Sequence, residues 1–281
     1  MIEFIKKIVS YPIRRMPLLR KRFWKQFYDF TARAVADDDF VFMNLGYADL
    51  NAAIDSVRLQ DPSQVNYFSE QLYQHVAGAV SLKDKEVLEI GCGRGGGSAF
   101  ITRSLGPRSV TALDYSGVAI ERCKQRYNIA RLTFQQGDAE ALPFADQSFD
   151  AVVSVESSNV YASREKFVAE VRRVLRPSGY FLFADMANPF LDNMSIGHLR
   201  QLLDRSGLKM IKAENITANV LKAREILSDS PAFEKSMARW AKSLGKSTQS
   251  MRAVFCLKGS VCYQRLETGQ TEFWRWVMQK E

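Results

Sequence analysis

The chain has 281 residues, 46% hydrophobic and 25% charged, which is enough to bury a full core and excludes a disordered or fibrous chain. No apolar run approaches the length needed to span a bilayer as a helix. The formal charge is +8, but eight Lys and Arg against Glu3 alone put +7 of it in residues 1–26, so the remaining body is nearly neutral and offers no basic stripe for nucleic acid.

Residues 1–26 interleave Lys6, Lys7, Arg14, Arg15, Arg20, Lys21, Arg22 and Lys25 with apolar residues such as Ile5, Ile8, Leu19, Phe23 and Trp24. Cations set among bulky apolar groups suit a segment lying in a membrane interface, where each contributes about 1 kcal/mol near an anionic leaflet. Pro12 and Pro17 argue against one continuous helix, so a short helix is expected over 2–10, then a kink, then a second helix over about 18–36. Residues 1–36 are expected to form a basic amphipathic arm, with an anionic membrane surface as the partner of residues 1–26. A lid packed on the domain and a disordered tail are the competing readings. Asp37, Asp38 and Asp39 form an acidic turn ahead of an aromatic segment, 40–47, in which Phe42 and Tyr47 are candidates to touch a ligand. Asp61, Pro62 and Ser63 mark a loop and a helix start, with a helix following over 65–80.

Residues 86–97 read Glu-Val-Leu-Glu-Ile-Gly-Cys-Gly-Arg-Gly-Gly-Gly. A buried strand here runs into a tight turn and a helix start, and glycines let backbone N–H groups approach a ligand closely. Gly91, Gly93 and Gly96 match the dinucleotide fingerprint G-x-G-x-x-G, with Gly95 between them. Glu89 at the mouth of that turn would repel a pyrophosphate. It suits instead the sulfonium and ammonium of S-adenosylmethionine, whose carboxylate suits the helix N-terminus. The next strand, 109–114, ends in Asp114, placed to accept hydrogen bonds from ribose hydroxyls, with Tyr115 beside it. A third strand, 131–136, exits into Asp138 and Ala139, candidates for the adenine. A fourth, 151–156, ends in Glu156. Apolar positions 167, 168, 171, 174 and 175 give a helix over 163–175, stopped by Pro177-Ser178-Gly179 before a fifth strand, 179–185.

Val-Leu-Glu-Ile-Gly-Cys-Gly-Arg-Gly, Leu-Asp-Tyr-Ser, Gly-Asp-Ala-Glu-Ala-Leu-Pro-Phe, Ser-Phe-Asp-Ala-Val-Val-Ser and Glu170-Val-Arg-Arg-Val-Leu-Arg-Pro-Ser-Gly-Tyr-Phe together make residues 86–186 resemble a class I S-adenosylmethionine-dependent methyltransferase. The Gly-Gly-Gly run, Val155–Tyr161 and Phe183–Met186 are similar to the phthiotriol dimycocerosate methyltransferase-like branch, which tailors lipids and polyketides. The resemblance implies an α/β fold: a Rossmann-like, seven-stranded, mostly parallel sheet with helices on both faces. It also implies S-adenosylmethionine as cofactor and a hydrophobic small-molecule acceptor. The branch implies a histidine where this chain has Asn159, so no catalytic base is carried over.

Beyond the core, a helix over 199–206 and a sixth strand over 208–216 precede a long helical stretch, about 218–266, interrupted near Pro231 and Gly245; a closing strand covers 271–278. With residues 1–36 as the arm, 37–281 is expected to be one domain in which the 218–266 insertion caps the acceptor pocket. Glu156, Tyr161 and His198 are the catalytic candidates, with Ser157, Asn159 and Asp185 at neighbouring strand ends. Glu156 is also a candidate for the donor's ammonium. Expected chemistry is O-methylation of a hydroxyl on a greasy metabolite. The rivals are C-methylation of an isoprenoid or quinone, favoured if Trp240, Trp274 and Trp276 face the pocket, and a cofactor-binding protein that transfers nothing. The four cysteines lack a C-x-x-C pair, so reduced thiols and a cytoplasmic setting, peripheral to the membrane, are expected. No clustered His/Cys/Asp motif implies a metal. Glu156-Ser-Ser-Asn-Val, without proline, argues against a nucleic-acid base as acceptor.

Overall fold

The computed structural model describes residues 16–35, 39–51, 65–187 and 195–281. The expected helix over 2–10, the Pro12 break, Asp37 and Asp38 of the acidic turn, and the Asp61-Pro62-Ser63 loop lie outside the described residues. The chain opens with α1 (Pro17–Ala34), which starts on Pro17 as a first-turn proline, and α2 (Tyr67–Ala77). Alternating strands and helices follow: β1 (Glu86–Ile90), α3 (Gly96–Ser104), β2 (Ser109–Asp114), α4 (Gly117–Arg126), β3 (Leu132–Gln136), β4 (Phe149–Val155), α5 (Arg164–Val174) and β5 (Leu175–Ala187). Next come α6 (Ile196–Asp204), β6 (Leu208–Asn215), α7 (Thr217–Ser228), α8 (Pro231–Ser243), α9 (Thr248–Val254), α10 (Val261–Glu267) and β7 (Glu272–Lys280).

The strands form one seven-stranded sheet in the order β3-β2-β1-β4-β5-β7-β6. The first five are parallel, and β7 runs antiparallel between β5 and β6. Side chains alternate across β7: Phe273 and Val277 enter the core on one face, Trp276 and Met278 the core on the other. The first face is covered by α2, α3, α4, α7 and α10, the second by α5 and α6. The fifth strand begins earlier than 179, because Leu175 pairs with Phe149 before a register shift carries the strand to Tyr180 opposite Ala151.

The insertion divides into four helices. A disulfide ties Cys256, in its break at 255–260, to Cys262 in α10. This corrects the expectation of reduced thiols for that pair; a separation of six residues, with the chain folding back into α10, is enough to bring the sulfurs together, and it carries no short motif. Cys92 and Cys123 are free and buried. The helices α7–α9 pack against the segment after α1. Phe40 stacks on Trp240 at 4.6 Å, and Asp39 accepts hydrogen bonds from Trp240 Nε1 (3.0 Å), Ser236 Oγ (2.8 Å) and Arg239.

Candidate active site

A cavity of about 1110 Å³, including its open mouth, lies beyond the carboxyl ends of β1, β2 and β4. This is the crevice where parallel α/β sheets hold their ligands. Its floor is the turn from Gly91 to Arg94, with Asp114, Tyr115, Asp138, Ala139 and Glu156 around it, and its roof is α1, through Lys21, Trp24, Lys25 and Tyr28.

The glycine turn is built by positive backbone angles at Gly91 (φ 79°), Gly93 (φ 53°) and Gly95 (φ 83°), the last serving as N-cap of α3. Gly93 N–H donates to Asp114 Oδ2 and Ser116 N–H to Oδ1, each at 2.8 Å, so the carboxylate at the end of β2 fixes the turn and still faces the cavity. Burial, the largest influence, raises the Asp114 pKa, against the pull of the Ser116 and Gly93 N–H groups. A Cβ at Gly91 would lie 2.4 Å from Ser157 Cβ. Gly91→Ala is therefore expected to destabilise the protein by about 2–4 kcal/mol, from a left-handed backbone and an overpacked contact together. Urea unfolding measures this, and an unchanged midpoint would contradict the geometry.

Glu89 is not at the mouth of the turn. Strand alternation sends it, with Val87, to the face covered by α2 and α3, where it is fully buried and accepts hydrogen bonds from Tyr73 Oη (2.6 Å) and Ser98 Oγ. Among the described residues lining the cavity it is Tyr73, not Glu89, that appears, and a Cβ at Gly97 would lie only 2.0 Å from the Tyr73 ring. The carboxylate thus sits one layer back, hydrogen-bonded by Tyr73.

Glu156, like Asp114 and Asp138, does reach the cavity. It follows β4 with φ 52°, a left-handed conformation that is costly for a side chain with a Cβ. Leu45 N–H donates to its Oε1 at 2.6 Å. Burial pushes its pKa up to about 8, the Leu45 N–H opposes this, Asp185 adds to it, and Arg224 opposes it. Among the described residues none of the 217–267 helices lines this cavity, and Arg224 on α7 is the residue of theirs whose charge opposes the rise at Glu156.

Tyr161 lines the cavity and donates to Ser157 Oγ (2.9 Å), which also bonds Ser154 Oγ (2.6 Å). Burial holds the Tyr161 phenol well above its ordinary pKa, which suits orientation and not proton removal. Asp185 is buried outside the lining, bonded by Ser158 N–H (2.9 Å) and Oγ (2.6 Å); Asn159 Nδ2 lies 3.5 Å from it. His198 does not join the site. Its helix, α6, packs Leu199 and Leu203 on the sheet, leaving His198 Nε2 facing Glu165 at 3.5 Å. Phe42 lines the cavity, whereas Tyr47 stacks on His75 at 4.2 Å. Trp240, Trp274 and Trp276 are absent from the lining, each packed in a core cluster or at its edge; Trp24 is the tryptophan that lines it.

The roof was not foreseen residue by residue. Lys21, Trp24, Tyr28, Thr31 and Ala32 recur at helical spacing and turn one face of α1 inward, a signal that the basic composition of the arm obscures. Arg94, within the glycine turn, ties down the end of this helix. Its Nη1 donates to Thr31 O (3.3 Å), its Nη2 to Val35 O (2.6 Å) and its Nε to Phe40 O. Burial, with Arg126 next, lowers its pKa to about 10.

These residues fit an adenosyl ligand. An acid at the end of β2, an aromatic ring beside it, a further acid and a small residue after β3, and a turn whose glycines leave no room for side chains all border one crevice. Residues 88–183 match the family model described as a methyltransferase domain. The chain is 40% identical over 220 residues, 78% of its own length and 77% of the relative's, to a fatty-acid O-methyltransferase of Mycolicibacterium smegmatis. It is 39% identical over 202 residues, 72% of its length and 73% of the relative's, to the phthiotriol/phenolphthiotriol dimycocerosates methyltransferase of Mycobacterium tuberculosis. In fold it is similar to geranyl diphosphate C-methyltransferase of Streptomyces coelicolor, with a TM-score of 0.70 at 13% identity, covering 93% of this chain and 98% of that one.

Proposed function

The chain belongs to the class I S-adenosylmethionine-dependent methyltransferases, and from that premise we propose that it methylates an oxygen, a hydroxyl in the first instance, on a hydrophobic lipid or polyketide. The observation that carries this reading is the wall of Trp24, Val41, Phe42, Met43 and Val160, an apolar surface in the same cavity as the Glu156 carboxylate. The names of the lipid-acting relatives point to the same class of acceptor.

When bound, the donor supplies a methyl group on a sulfonium, already activated for in-line displacement. In our proposal Asp114 holds the ribose hydroxyls, Asp138 and Ala139 receive the adenine edge, Tyr115 stacks on it, and the turn at Gly91, Gly93 and Gly95 admits the amino-acid end. Glu156 would take the proton released when the acceptor oxygen is methylated and the donor leaves as the neutral thioether, and would hold the donor's ammonium before that. Tyr161 and Ser157 orient the acceptor. The roof of α1 excludes water, so alignment does most of the work. We further propose a cytoplasmic enzyme peripheral to the membrane, seated through residues 1–26. None of the described helices is long and apolar enough to cross a bilayer.

A series of hydroxylated acyl chains with isotope-labelled donor tests the acceptor class. Each methylene buried on the apolar wall contributes about 0.8 kcal/mol, so kcat/KM is expected to rise roughly fourfold per methylene until the chain outgrows the cavity. Trp24→Ala is expected to flatten that rise. A rate independent of chain length would overturn a hydrophobic acceptor.

A further inference from the structure

We propose that the outer face of α1 docks on an anionic lipid bilayer, and that Lys21 on its inner face couples this docking to the donor's adenine seat. The inference rests on the assignment of Tyr115, Asp138 and Ala139 to the adenine.

Lys21 lies in that seat. Its Nζ is 5.0 Å from the centroid of the Tyr115 ring, 2.7 Å from both carboxylate oxygens of Asp138 and 2.8 Å from Glu140 Oε1. A purine stacked on Tyr115 with its amino group against Asp138 needs the same space and the same acceptor. Donor entry therefore requires Lys21 to withdraw, and Lys21 stands on a helix whose far end Arg94 holds. Towards its start, α1 is held by the Lys21 ion pairs and by Arg20 Nη2 donating to Tyr161 O at 2.5 Å. The roof is thus pinned at one end and latched near the other, and the donor competes for the Lys21 part of that latch.

The opposite face of α1 is apolar and exposed. Met16, Leu19, Phe23 and Phe30 fall on one stripe at steps of three, four and seven residues, Phe23 44% and Phe30 49% exposed. Exposed Arg22 and Arg33, eleven residues apart, flank it. A stripe of large side chains with cations alongside fits a bilayer interface. The charge selects an anionic one: residues 1–26 hold +7 while the rest of the chain is nearly neutral. Seating Leu19 and Phe23 in that interface draws the latched end of α1 outward, takes Lys21 off Asp138 and opens the seat where the greasy acceptor is concentrated.

Titration of the full chain with S-adenosylhomocysteine tests this, alone, with phosphatidylcholine vesicles, and with vesicles also containing phosphatidylglycerol. Anionic vesicles are expected to sediment the protein and tighten the wild-type Kd by about tenfold, and neutral vesicles to do neither. Lys21→Met is expected to bind about tenfold more tightly without vesicles and to gain nothing from them. Leu19→Ser with Phe23→Ser is expected to keep the vesicle-free Kd and lose both sedimentation and tightening. A Lys21→Met variant that binds no better than wild type, or a wild-type Kd indifferent to anionic vesicles, overturns the coupling. Because the readout is donor binding, the proposal stands or falls independently of which acceptor is methylated.

Discussion

Glu156→Gln is expected to lower methyl transfer by about 10²–10⁴-fold, the range for a positioned general base, while making the ligand-free protein more stable. Both halves follow from the same burial. The folded pKa of Glu156 is about 8, well above the ordinary carboxylate value near 4.5. An unfolded chain therefore releases this proton before the folded protein does. Stability contributed at Glu156 is full below the unfolded pKa and is lost as pH rises from about 4.5 to about 8. Glutamine keeps an oxygen for Leu45 N–H and has no proton to lose, so at mildly alkaline pH the variant should gain on the order of 3 kcal/mol, seen as a higher Tm. Wild-type kcat/KM should climb with pH through a midpoint near 8, because only the ionised carboxylate accepts a proton, and the residual rate of the variant should be flat. A variant with wild-type activity would remove Glu156 from the reaction, and a lower Tm would mean the carboxylate is held ionised in the fold.

The second large effect is expected at Asp114. With Asp114 holding the ribose as proposed, Asp114→Ala would remove two charge-assisted hydrogen bonds, each contributing about 1.5–3 kcal/mol, so the Kd for S-adenosylhomocysteine should rise by at least about 10²-fold. The same change frees Gly93 N–H, so the turn loses its support as well. Asp114→Asn separates the two roles: it keeps one acceptor and should lie between wild type and alanine in calorimetric titration. Wild-type affinity in the alanine variant would show that the ribose lies elsewhere.

The sheet was legible because its information is local. The strands β1, β2 and β4 are short apolar runs closed by an acid or glycine, and the runs at 87–90, 109–114 and 151–156 fall where they lie. Asp114, Asp138 and Glu156 border the cavity because residues just past parallel strands have nowhere else to point. What the sequence hid depends on facing and on distance along the chain. Glu89 was misplaced because position beside a turn says nothing about which sheet face a residue occupies. The roof rests on Lys21 meeting Asp138 across 117 residues, and the Cys256–Cys262 bond on a fold-back between two short helices. Length alone reads the 217–267 helices as a cap and does not say where their apolar residues go: Phe233 and Met237 join a core with Phe40 and Phe68, Val220 and Leu266 the core on the sheet.

Arg94 carries a consequence for what counts as the minimal unit of this protein. The segment matching the family model, 88–183, contains the guanidinium but none of the three main-chain oxygens that satisfy it. A shortened chain beginning at Val41 would lose all three of those acceptors and with them the tie between the turn and α1. The matched segment is therefore not self-sufficient: its phosphate-free nucleoside turn inherits its shape from a helix encoded some sixty residues upstream, and fusions or swaps that preserve only the shared core should inherit a collapsed turn.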